Sequence, residues 1–284
     1  MARGSAHVPR DPHAPRSPRH PPPVPDTADF ASFQGSPDFV LSLARGLKVI
    51  ESFETNTAGV SVADVSRHTG LSRAAVRRLL MTLEMLGYAE SDGGIYRLKP
   101  RILRLGYSYF SSSSLAAIAE PILRRISETL REAFAMCVLE GEEVAYLVHC
   151  GPPRVMTVGV SVGTRLPAHC TSGGRVLLAA LPDPELDRFL LKARIQAHTP
   201  RTITDRAVLT AVIRKVRRDG FALINEELEP GLRSLAVPVR SRSNTVVAAI
   251  NTGIHAARIS ESQMLERILP VLRESATALG RQIH

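Results

Sequence analysis

Tryptophan is absent from the chain, and aromatic side chains make up only 5% of its 284 residues. A ligand pocket must therefore be lined mainly by aliphatic and polar groups. The three cysteines provide no disulfide framework and indicate a reducing compartment. No apolar run approaches the roughly 20 residues of a membrane-spanning helix, and we see no hydrophobic secretory leader. We therefore expect a cytoplasmic protein with no membrane partner.

Positive charge is present in excess, with a formal net charge of +9 at pH 7. Residues 39–110 carry 10 basic and 6 acidic side chains, whereas residues 111–284 carry 22 and 17. The density of positive charge is thus highest in the shorter segment, which suits a polyanion such as nucleic acid. The alternative is an ordinary solvated surface in an arginine-rich chain.

The first 38 residues differ in composition from the rest of the chain. They hold nine of the 20 prolines and almost no aliphatic side chains. Such a segment cannot bury enough apolar surface to offset the entropy of ordering it. We expect residues 1–38 to form a disordered, proline-rich tail.

The next segment, residues 39–99, predicts a winged helix-turn-helix. Ser61 and Ser72 stand where they can cap the second and third helices, and the glycines at 93 and 94 suit a hairpin turn. Helix, short helix, glycine turn, capped helix and hairpin is the order of this motif. The predicted elements are helices at 41–54, 61–68 and 73–86 and a hairpin at 88–98.

The third predicted helix separates an apolar stripe from a basic face. The stripe consists of Val76, Leu79, Leu80, Leu83 and Leu86. Burying it leaves exposed the side chains that we expect to enter a DNA major groove, where arginine pairs with guanine; they are Arg73, Ala74, Arg77 and Arg78. The alternative is a chance pattern, since similar helix pairs occur in many helical proteins.

Residues 100–114 predict an amphipathic linker helix followed by serines, and residues 115–284 predict a second, α/β domain. A proline at position 270 is expected to kink its last helix. The predicted helices of this domain lie at 115–131, 173–181, 184–193, 205–219 and 260–282. The predicted strands lie at 134–139, 143–149, 155–162, 220–226, 234–240 and 246–253.

Two His–Cys pairs, at 149–150 and 169–170, raise the question of a metal site with Cys137 as a further ligand. On a strand, adjacent side chains point to opposite faces, so each pair supplies at most one ligand. A closed zinc site needs four ligands and usually shows close pairs such as C-x2-C. We expect buried structural cysteines, no metal and no cofactor.

The same region does not fit the patterns of covalent catalysis. Ser172 is not in a G-x-S-x-G turn, and a nucleophilic Cys170 needs its base across space rather than next to it in sequence. No P-loop motif occurs either. We expect no catalytic residue, with an acyl-transfer or hydrolytic enzyme using Cys170 or Ser172 as the alternative function.

A binding site fits the residues better. Thr171 and Ser172 precede a predicted helix that opens with Gly173 and Gly174. Hydroxyls and unpaired amides at a helix start suit a carboxylate or a phosphate. Simple capping of the helix by Thr171 or Ser172 is an equally good interpretation of this pattern.

Several motifs together resemble IclR-type transcriptional regulators. They are SVADVSRHTGLSRAAVRRLL at 61–80, GTRLPAHCTSGGRVLLAAL at 163–181, TPRTIT at 199–204 and GLRSLAVP at 231–238. Within that family the chain resembles the branch that controls protocatechuate and p-hydroxybenzoate catabolism. The resemblance covers about residues 39–284. It implies a winged helix-turn-helix, a linker helix and a GAF-like effector-binding domain, in an α+β fold.

The resemblance also implies partners and site residues. The partners are operator DNA, a small carboxylate effector and a second copy of the chain, with dimers that sometimes pair into tetramers. Side chains with the DNA-binding role map onto Ser61, Ser72, Arg73, Ala74, Arg77 and Arg78. The effector pocket maps onto Thr171, Ser172, Gly173, Gly174, Glu227, Ser234 and Asn251, and Arg165, Arg175 and Arg233 are candidates to offset the charge of the acid.

This sequence departs from the family pattern at three positions. Ala75 and Arg77 replace residues that the family usually has in the recognition helix, which changes the expected contacts with DNA. Gly173 stands where a larger apolar residue is common, so we expect a roomier pocket entrance. Our hypothesis is a ligand-responsive transcription factor that controls a catabolic operon.

Overall fold

The N-terminal unit is a winged helix-turn-helix, as predicted. The computed structural model describes residues 30–33, 36–55, 58–106, 114–152 and 159–283. The unit consists of α1 (Leu41–Glu51), α2 (Val62–Thr69), α3 (Arg73–Met85) and a sheet of β1 (Val60–Ser61), β2 (Ala89–Asp92) and β3 (Ile95–Leu98). The strands are antiparallel, in the order β1-β3-β2.

Local hydrogen bonds fix where α2 and α3 begin. The Ser61 hydroxyl accepts the Asp64 N–H at 3.2 Å, and the Asp64 carboxylate accepts the Ser61 N–H at 3.1 Å. This reciprocal pair is a capping box. Gly70 ends α2 in the left-handed region, with φ at 71°, where glycine carries no Cβ penalty. The Ser72 hydroxyl then accepts the Ala75 N–H at 3.3 Å and caps α3.

The apolar stripe of α3 packs into a small core, with one exception. Val76, Leu80 and Leu83 are buried, and Leu79 packs against them. The prediction that Leu86 joins the stripe is wrong, because Leu86 lies past the end of α3 and is 52% exposed. The remaining core residues come from α1, α2 and the wing; they are Val49, Val60, Val65, Ala89 and Tyr96.

The predicted disordered tail and linker helix need correction where the structure describes them. Phe30–Phe33 forms a 3-10 helix, and the Phe33 ring stacks on Phe39 at 5.1 Å between centroids. Disorder throughout 1–38 is therefore wrong for this turn, while residues 1–29 lie outside the described residues. Pro100–Ile102 is also a 3-10 helix, followed by α4 at 103–106, and the rest of the predicted linker helix, from 107, lies outside the described residues.

The second unit is a six-stranded antiparallel sheet with helices on both faces. Its order is β6-β5-β4-β9-β8-β7, with a break in register between Met136 and Cys137. The strands are β4 (Phe134–Glu140), β5 (Glu143–Cys150), β6 (Arg165–Pro167), β7 (Ala222–Asn225), β8 (Leu232–Arg240) and β9 (Val246–His255). The helices are α5 (Ser114–Leu130), α6 (Ser172–Ala180), α7 (Asp183–Lys192), α8 (Arg206–Asp219), α9 (Glu261–Gln263) and α10 (Leu269–Gly280).

Side-chain alternation along the strands gives the sheet two separate cores. One face packs against α5 and α10 through residues such as Phe134, Met136 and Ile250. The other face packs against α6, α7 and α8 through residues such as Ala135 and Ala249. Because neighbouring strand residues point to opposite faces, any polar group on the second face points towards the helix that starts at Ser172.

Two predicted elements differ from those observed. Residues 155–158 of the predicted strand 155–162 lie outside the described residues, and residues 159–162 belong to no sheet. A short strand at Arg165–Pro167 pairs with β5 instead. The kink expected at Pro270 takes the form of a π-helical turn, Met264–Ile268, just before α10. None of the described helices has the length and apolar character needed to cross a membrane.

Candidate DNA interface and effector site

The predicted DNA-reading side chains lie together on the outer face of α3. Arg73, Ala74, Arg77 and Arg78 are all exposed, while Val76 is completely buried beneath them. Nothing in the described part of the chain forms an ion pair with any of the three arginines. Their guanidinium groups are therefore available for phosphates or guanine edges.

Ser61 and Ser72 have a different structural role from the arginines. Both hydroxyls accept hydrogen bonds from backbone amides of the helix that they precede. They hold α2 and α3 in the orientation that presents the basic face. A direct contact of either serine with DNA stays a prediction.

Thr171 caps α6, so the capping interpretation of this segment is confirmed for Thr171. Its hydroxyl accepts the Gly174 N–H at 3.2 Å and donates to the Pro167 carbonyl at 2.9 Å. The Gly174 amide is thus already engaged. The first helical residues, Ser172 and Gly173, still start a helix whose first N–H groups lack an acceptor within the helix itself.

Two buried oxygens on this side of the sheet have no hydrogen-bond partner in the described structure. They are Ser172 Oγ, in a residue that is 1% exposed, and Asn251 Oδ1, in a residue that is 8% exposed. A buried polar atom without a partner costs about 1–3 kcal/mol. Such an atom needs an explanation, and a ligand that supplies the missing hydrogen bond is one.

The sheet register places these polar groups on one face. Asn251 pairs with Ala135 on one side and with Ala236 on the other, in the face that packs against α6. Ser234, two residues before Ala236 on β8, shares that face and is 8% exposed. Ser172 lies at the start of the helix that covers it. The structure therefore places Ser234 and Asn251 on the sheet face that α6 covers, with Ser172 at the start of that helix; their contact with an effector stays a prediction.

Tyr146 belongs to the same face and was not predicted. It pairs with Cys137 across β4 and β5 and is 3% exposed. Burial raises the pKa of the Tyr146 phenol far above its usual range, and a hydrogen bond with the Asn251 side chain opposes that only in part. The phenol is thus a neutral donor at any physiological pH. The break in register next to Cys137 determines which face of the sheet Tyr146 joins. Apolar spacing in the sequence does not predict such a break.

The two glycines of α6 are packing residues. A Cβ on Gly173 would overlap Cys137 Sγ, and a Cβ on Gly174 would overlap the backbone of Ala168. The expectation that Gly173 widens the pocket entrance is wrong, because the thiol of Cys137 fills that space. Glycine here lets the helix start approach the sheet closely.

Glu227 forms a buried ion pair with Arg175. The two guanidinium Nη atoms donate to the two carboxylate oxygens at 2.8 and 2.5 Å, and the side chains are 2% and 8% exposed. The Ile203 N–H also donates to Glu227, at 3.1 Å. With its carboxylate engaged in this way, Glu227 holds the loop after β7 against α6. Its predicted contact with an effector stays a prediction.

The three arginines suggested to offset the charge of an acid all have partners already. Arg165 donates to Glu140 and Glu143 at 2.8 Å each, on the surface. Arg233 donates to the Asn225 side chain at 3.0 Å and to backbone carbonyls after β9. Arg175 is paired with Glu227. None of these three arginines is left without a partner for an anionic ligand.

Burial of the Cys170 thiol does not favour covalent catalysis there. Burial raises the pKa of its thiol to about 12, so the thiolate that attacks substrates is almost absent at neutral pH. Its Sγ lies 4.0 Å from the Pro167 carbonyl oxygen. The site as built is suited to binding.

A basic winged helix-turn-helix together with a buried polar site in an α/β unit defines a ligand-responsive DNA-binding protein. Residues 42–93 match the IclR helix-turn-helix domain, and residues 107–281 match the bacterial transcriptional regulator IclR C-terminal domain. The chain belongs to the IclR family of bacterial transcriptional regulators. It is accordingly a transcriptional regulator and not an enzyme.

Two relatives of known role are similar along nearly their whole length. The Pca regulon regulatory protein of Pseudomonas putida is 46% identical over 253 residues, which cover 89% of this chain and 87% of that protein. The p-hydroxybenzoate hydroxylase transcriptional activator of Acinetobacter baylyi is 35% identical over 247 residues, covering 85% of this chain and 91% of that one.

Solved structures give the same result for the fold. A transcriptional regulator from Rhodococcus matches with a TM-score of 0.75 at 46% identity, covering 85% of this chain and 97% of its own. An IclR homologue from Microbacterium hydrocarbonoxydans in complex with 4-hydroxybenzoate matches with a TM-score of 0.73 at 26% identity, covering 84% and 97%. The predicted fold class is thereby confirmed.

Proposed function

We propose that this protein senses a hydroxylated aromatic acid and controls an operon for its catabolism. The observation that carries the proposal is the pair of unpartnered buried oxygens, Ser172 Oγ and Asn251 Oδ1. The similarity to regulators named for the pca regulon and for p-hydroxybenzoate hydroxylase, and to a relative that binds 4-hydroxybenzoate, supports this class of ligand.

The chemistry of a hydroxybenzoate suits the groups on this face. Its carboxylate can accept from the N–H groups at the start of α6, where the helix dipole favours negative charge. The Ser172 hydroxyl and the neutral Tyr146 phenol are further donors. Its ring hydroxyl can donate to Asn251 Oδ1, an acceptor that otherwise lacks a partner. The site binds the anion without using an unpaired arginine.

The other predicted effector residues fall into supporting roles in this proposal. Thr171 and Gly174 form the cap that fixes the start of α6. Glu227 keeps the loop after β7 in place through Arg175. Ser234 contributes its hydroxyl from the same face as Asn251.

Apolar side chains on the surface of the N-terminal unit support a dimer. Leu43 and Leu47, one turn apart on α1, are 62% and 49% exposed, and Leu103 of α4 is 72% exposed. Exposed apolar side chains such as the pair on α1 are typical of an interface. We propose that the chain forms a cytoplasmic homodimer, with pairing of dimers into tetramers as a further step, and that the dimer binds operator DNA through α3. We propose domain bounds at 39–99, 100–114 and 115–284.

Calorimetric titration tests the effector assignment. We expect 4-hydroxybenzoate or protocatechuate to bind the wild type, and either ligand to change operator binding in a gel shift. Ser172→Ala and Asn251→Ala should each weaken ligand binding about tenfold, the equivalent of one hydrogen bond of about 1–1.5 kcal/mol. The unliganded Ser172→Ala variant should melt at the same or a higher temperature than the wild type, because an unpaired buried oxygen is removed. The unliganded Asn251→Ala variant should melt lower, because it also loses the hydrogen bond with Tyr146.

Exposed Ser262→Ala is the matched control and should bind like the wild type. If neither Ser172→Ala nor Asn251→Ala changes the affinity for a bound aromatic acid, the acid does not occupy this site and the proposal is wrong.

A further inference from the structure

A second cluster of reactive side chains lies beside the start of α6 and has no part in the effector site. His169, Cys170 and His198 each offer one ligand atom, and these three atoms lie within 4.8 Å of one another. His169 and Cys170 are buried, and His198 is exposed. Two imidazoles and a thiol are the donor set that zinc and copper prefer in proteins.

Local conformation explains why two adjacent residues can face the same point. Ala168–Cys170 is a 3-10 helix rather than a strand. Successive side chains on a 3-10 helix are about 120° apart, whereas on a strand they point in opposite directions. We argued above against a metal because adjacent side chains on a strand point apart, but His169 and Cys170 do not lie on a strand. His198 is a candidate ligand that spacing in sequence does not reveal.

A hydrogen bond fixes the tautomer of His169 and leaves one ring nitrogen able to bind a metal. Nε2 lies 3.0 Å from the Gln196 carbonyl oxygen. Since a carbonyl only accepts, Nε2 carries the proton and Nδ1 keeps its lone pair. Metal-binding histidines usually donate their other N–H to a carbonyl or a carboxylate in this way.

The nearby arginine does not oppose a cation at this point. Arg175 Nε donates to the His169 carbonyl at 2.9 Å, which places a positive charge close to the cluster. The carboxylate of Glu227 neutralises that charge through two short hydrogen bonds. The cluster therefore meets a compensated ion pair rather than a bare cation.

We propose that His169, Cys170 and His198 form a binding site for a soft transition-metal ion, with Zn²⁺ as the first candidate. Bond lengths of about 2.0–2.3 Å in a tetrahedral site put its ligand atoms about 3.3–3.7 Å apart. The exposed His198 side chain can close the remaining gap by turning about its rotatable bonds. No fourth protein ligand is present among the described residues, so a water molecule or an anion completes the tetrahedron.

Metal binding at this site joins two segments that shape the effector pocket. The turn at His169 and Cys170 leads directly into the cap of α6. His198 belongs to the segment in which Thr199 and Thr202 donate to the carbonyls of Glu226 and Glu227, at 2.7 and 2.6 Å. The thiol of Cys170 loses its proton when the Zn–S bond forms, so one proton is released to solvent for each ion bound.

Cobalt and zinc titrations of the tag-free, full-length protein test this proposal without effector or DNA, so its outcome is independent of the proposed function. We expect one Co²⁺ per chain, with a thiolate-to-cobalt charge-transfer band. Cys170→Ser should abolish that band. His198→Gln, at an exposed position that the fold does not need, should weaken Zn²⁺ binding at least tenfold in competition with a chromophoric chelator.

The other His–Cys pair provides the matched control, and His149→Gln should keep both the band and the affinity. The proposal fails if the wild type gives no thiolate band, or if His198→Gln binds Zn²⁺ as tightly as the wild type. Should Cys170→Ser not fold, the cobalt spectrum of the wild type and the affinity of His198→Gln still decide the question.

Discussion

The predicted DNA-reading face and the proposed effector site of this protein are built in opposite ways. The side chains of the first, Arg73 to Arg78, lie within a single helix whose start is set by the Ser72 cap. The second collects Tyr146, Ser172 and Asn251 from two strands and a helix. One surface depends on local hydrogen bonds and the other on long-range packing, so a substitution should have local effects in the first and global effects in the second.

The largest expected effect comes from breaking the buried ion pair between Arg175 and Glu227, which lie 52 positions apart in sequence. Arg175→Met leaves the Glu227 carboxylate buried without its partner. We expect the second unit to lose about 3–5 kcal/mol of unfolding free energy. Denaturant unfolding followed by circular dichroism measures the loss.

Two variants sharpen that result. The double variant Arg175→Met with Glu227→Met should recover most of the loss, because no buried charge is left unpaired. Arg165→Ala, which breaks a half-exposed pair with Glu140 and Glu143, should cost at most about 1 kcal/mol. Equal costs at Arg175 and Arg165 would show that burial does not set the strength of these pairs.

On the DNA-reading face, Arg78→Ala should change binding without changing the fold. We expect a loss of about 1–3 kcal/mol in operator affinity, or about 5- to 150-fold, since one arginine–guanine or phosphate contact is removed. The melting temperature should stay the same, because Arg78 is exposed. Gel shifts on operator and random DNA measure the change, with the exposed Arg188→Ala as control. Unchanged specific binding would rule out Arg78 as a reading residue.

The close contact between α6 and the sheet gives a prediction for Gly173. Gly173→Ala inserts a methyl group against Cys137 Sγ and should cost about 1–3 kcal/mol by overpacking. Cys137→Ala in the same chain should remove much of that cost, since the two sites share one space. Thermal unfolding of the single and double variants measures the coupling. A purely additive result would show that the thiol does not limit the approach of the helix.

The smallest expected effects are at the helix caps of the N-terminal unit. Ser61→Ala removes the hydroxyl that accepts the Asp64 N–H at 3.2 Å and donates to the Asp64 carboxylate at 2.6 Å, and it should cost about 1 kcal/mol or somewhat more. Ser72→Ala removes a single, longer hydrogen bond of 3.3 Å and should cost less. Urea unfolding of the two variants gives the order, and the reverse order would contradict the geometry of the caps.

Elements with strong local signals were predicted well. The caps at Ser61 and Ser72, the hairpin turn at 93–94 and the bounds of α3 all agree with the structure to within a residue or two. Each depends on hydrogen bonds or backbone angles of neighbouring residues. The start of α6 was also placed correctly, because Thr171 and the following glycines are a local signal of the same kind.

The errors occur where distant parts of the chain meet. Gly173 suggested open space, but Cys137 on β4 occupies it. The sequence did not reveal that Arg175 and Glu227 bind each other, and the contact of Glu227 with an effector stays a prediction. Tyr146 was overlooked because the register break in β4 and β5 decides which face it joins.

The sequence by itself determined the winged helix-turn-helix, its basic face and the helix start at which we place the proposed effector site. These features follow from caps, turns and apolar spacing, which act over a few residues. Only the tertiary structure decided which polar groups share a buried layer, which charges neutralise each other and which histidine lies beside Cys170. Those outcomes depend on sheet register and close packing, where contacts join residues tens of positions apart and no local pattern records them.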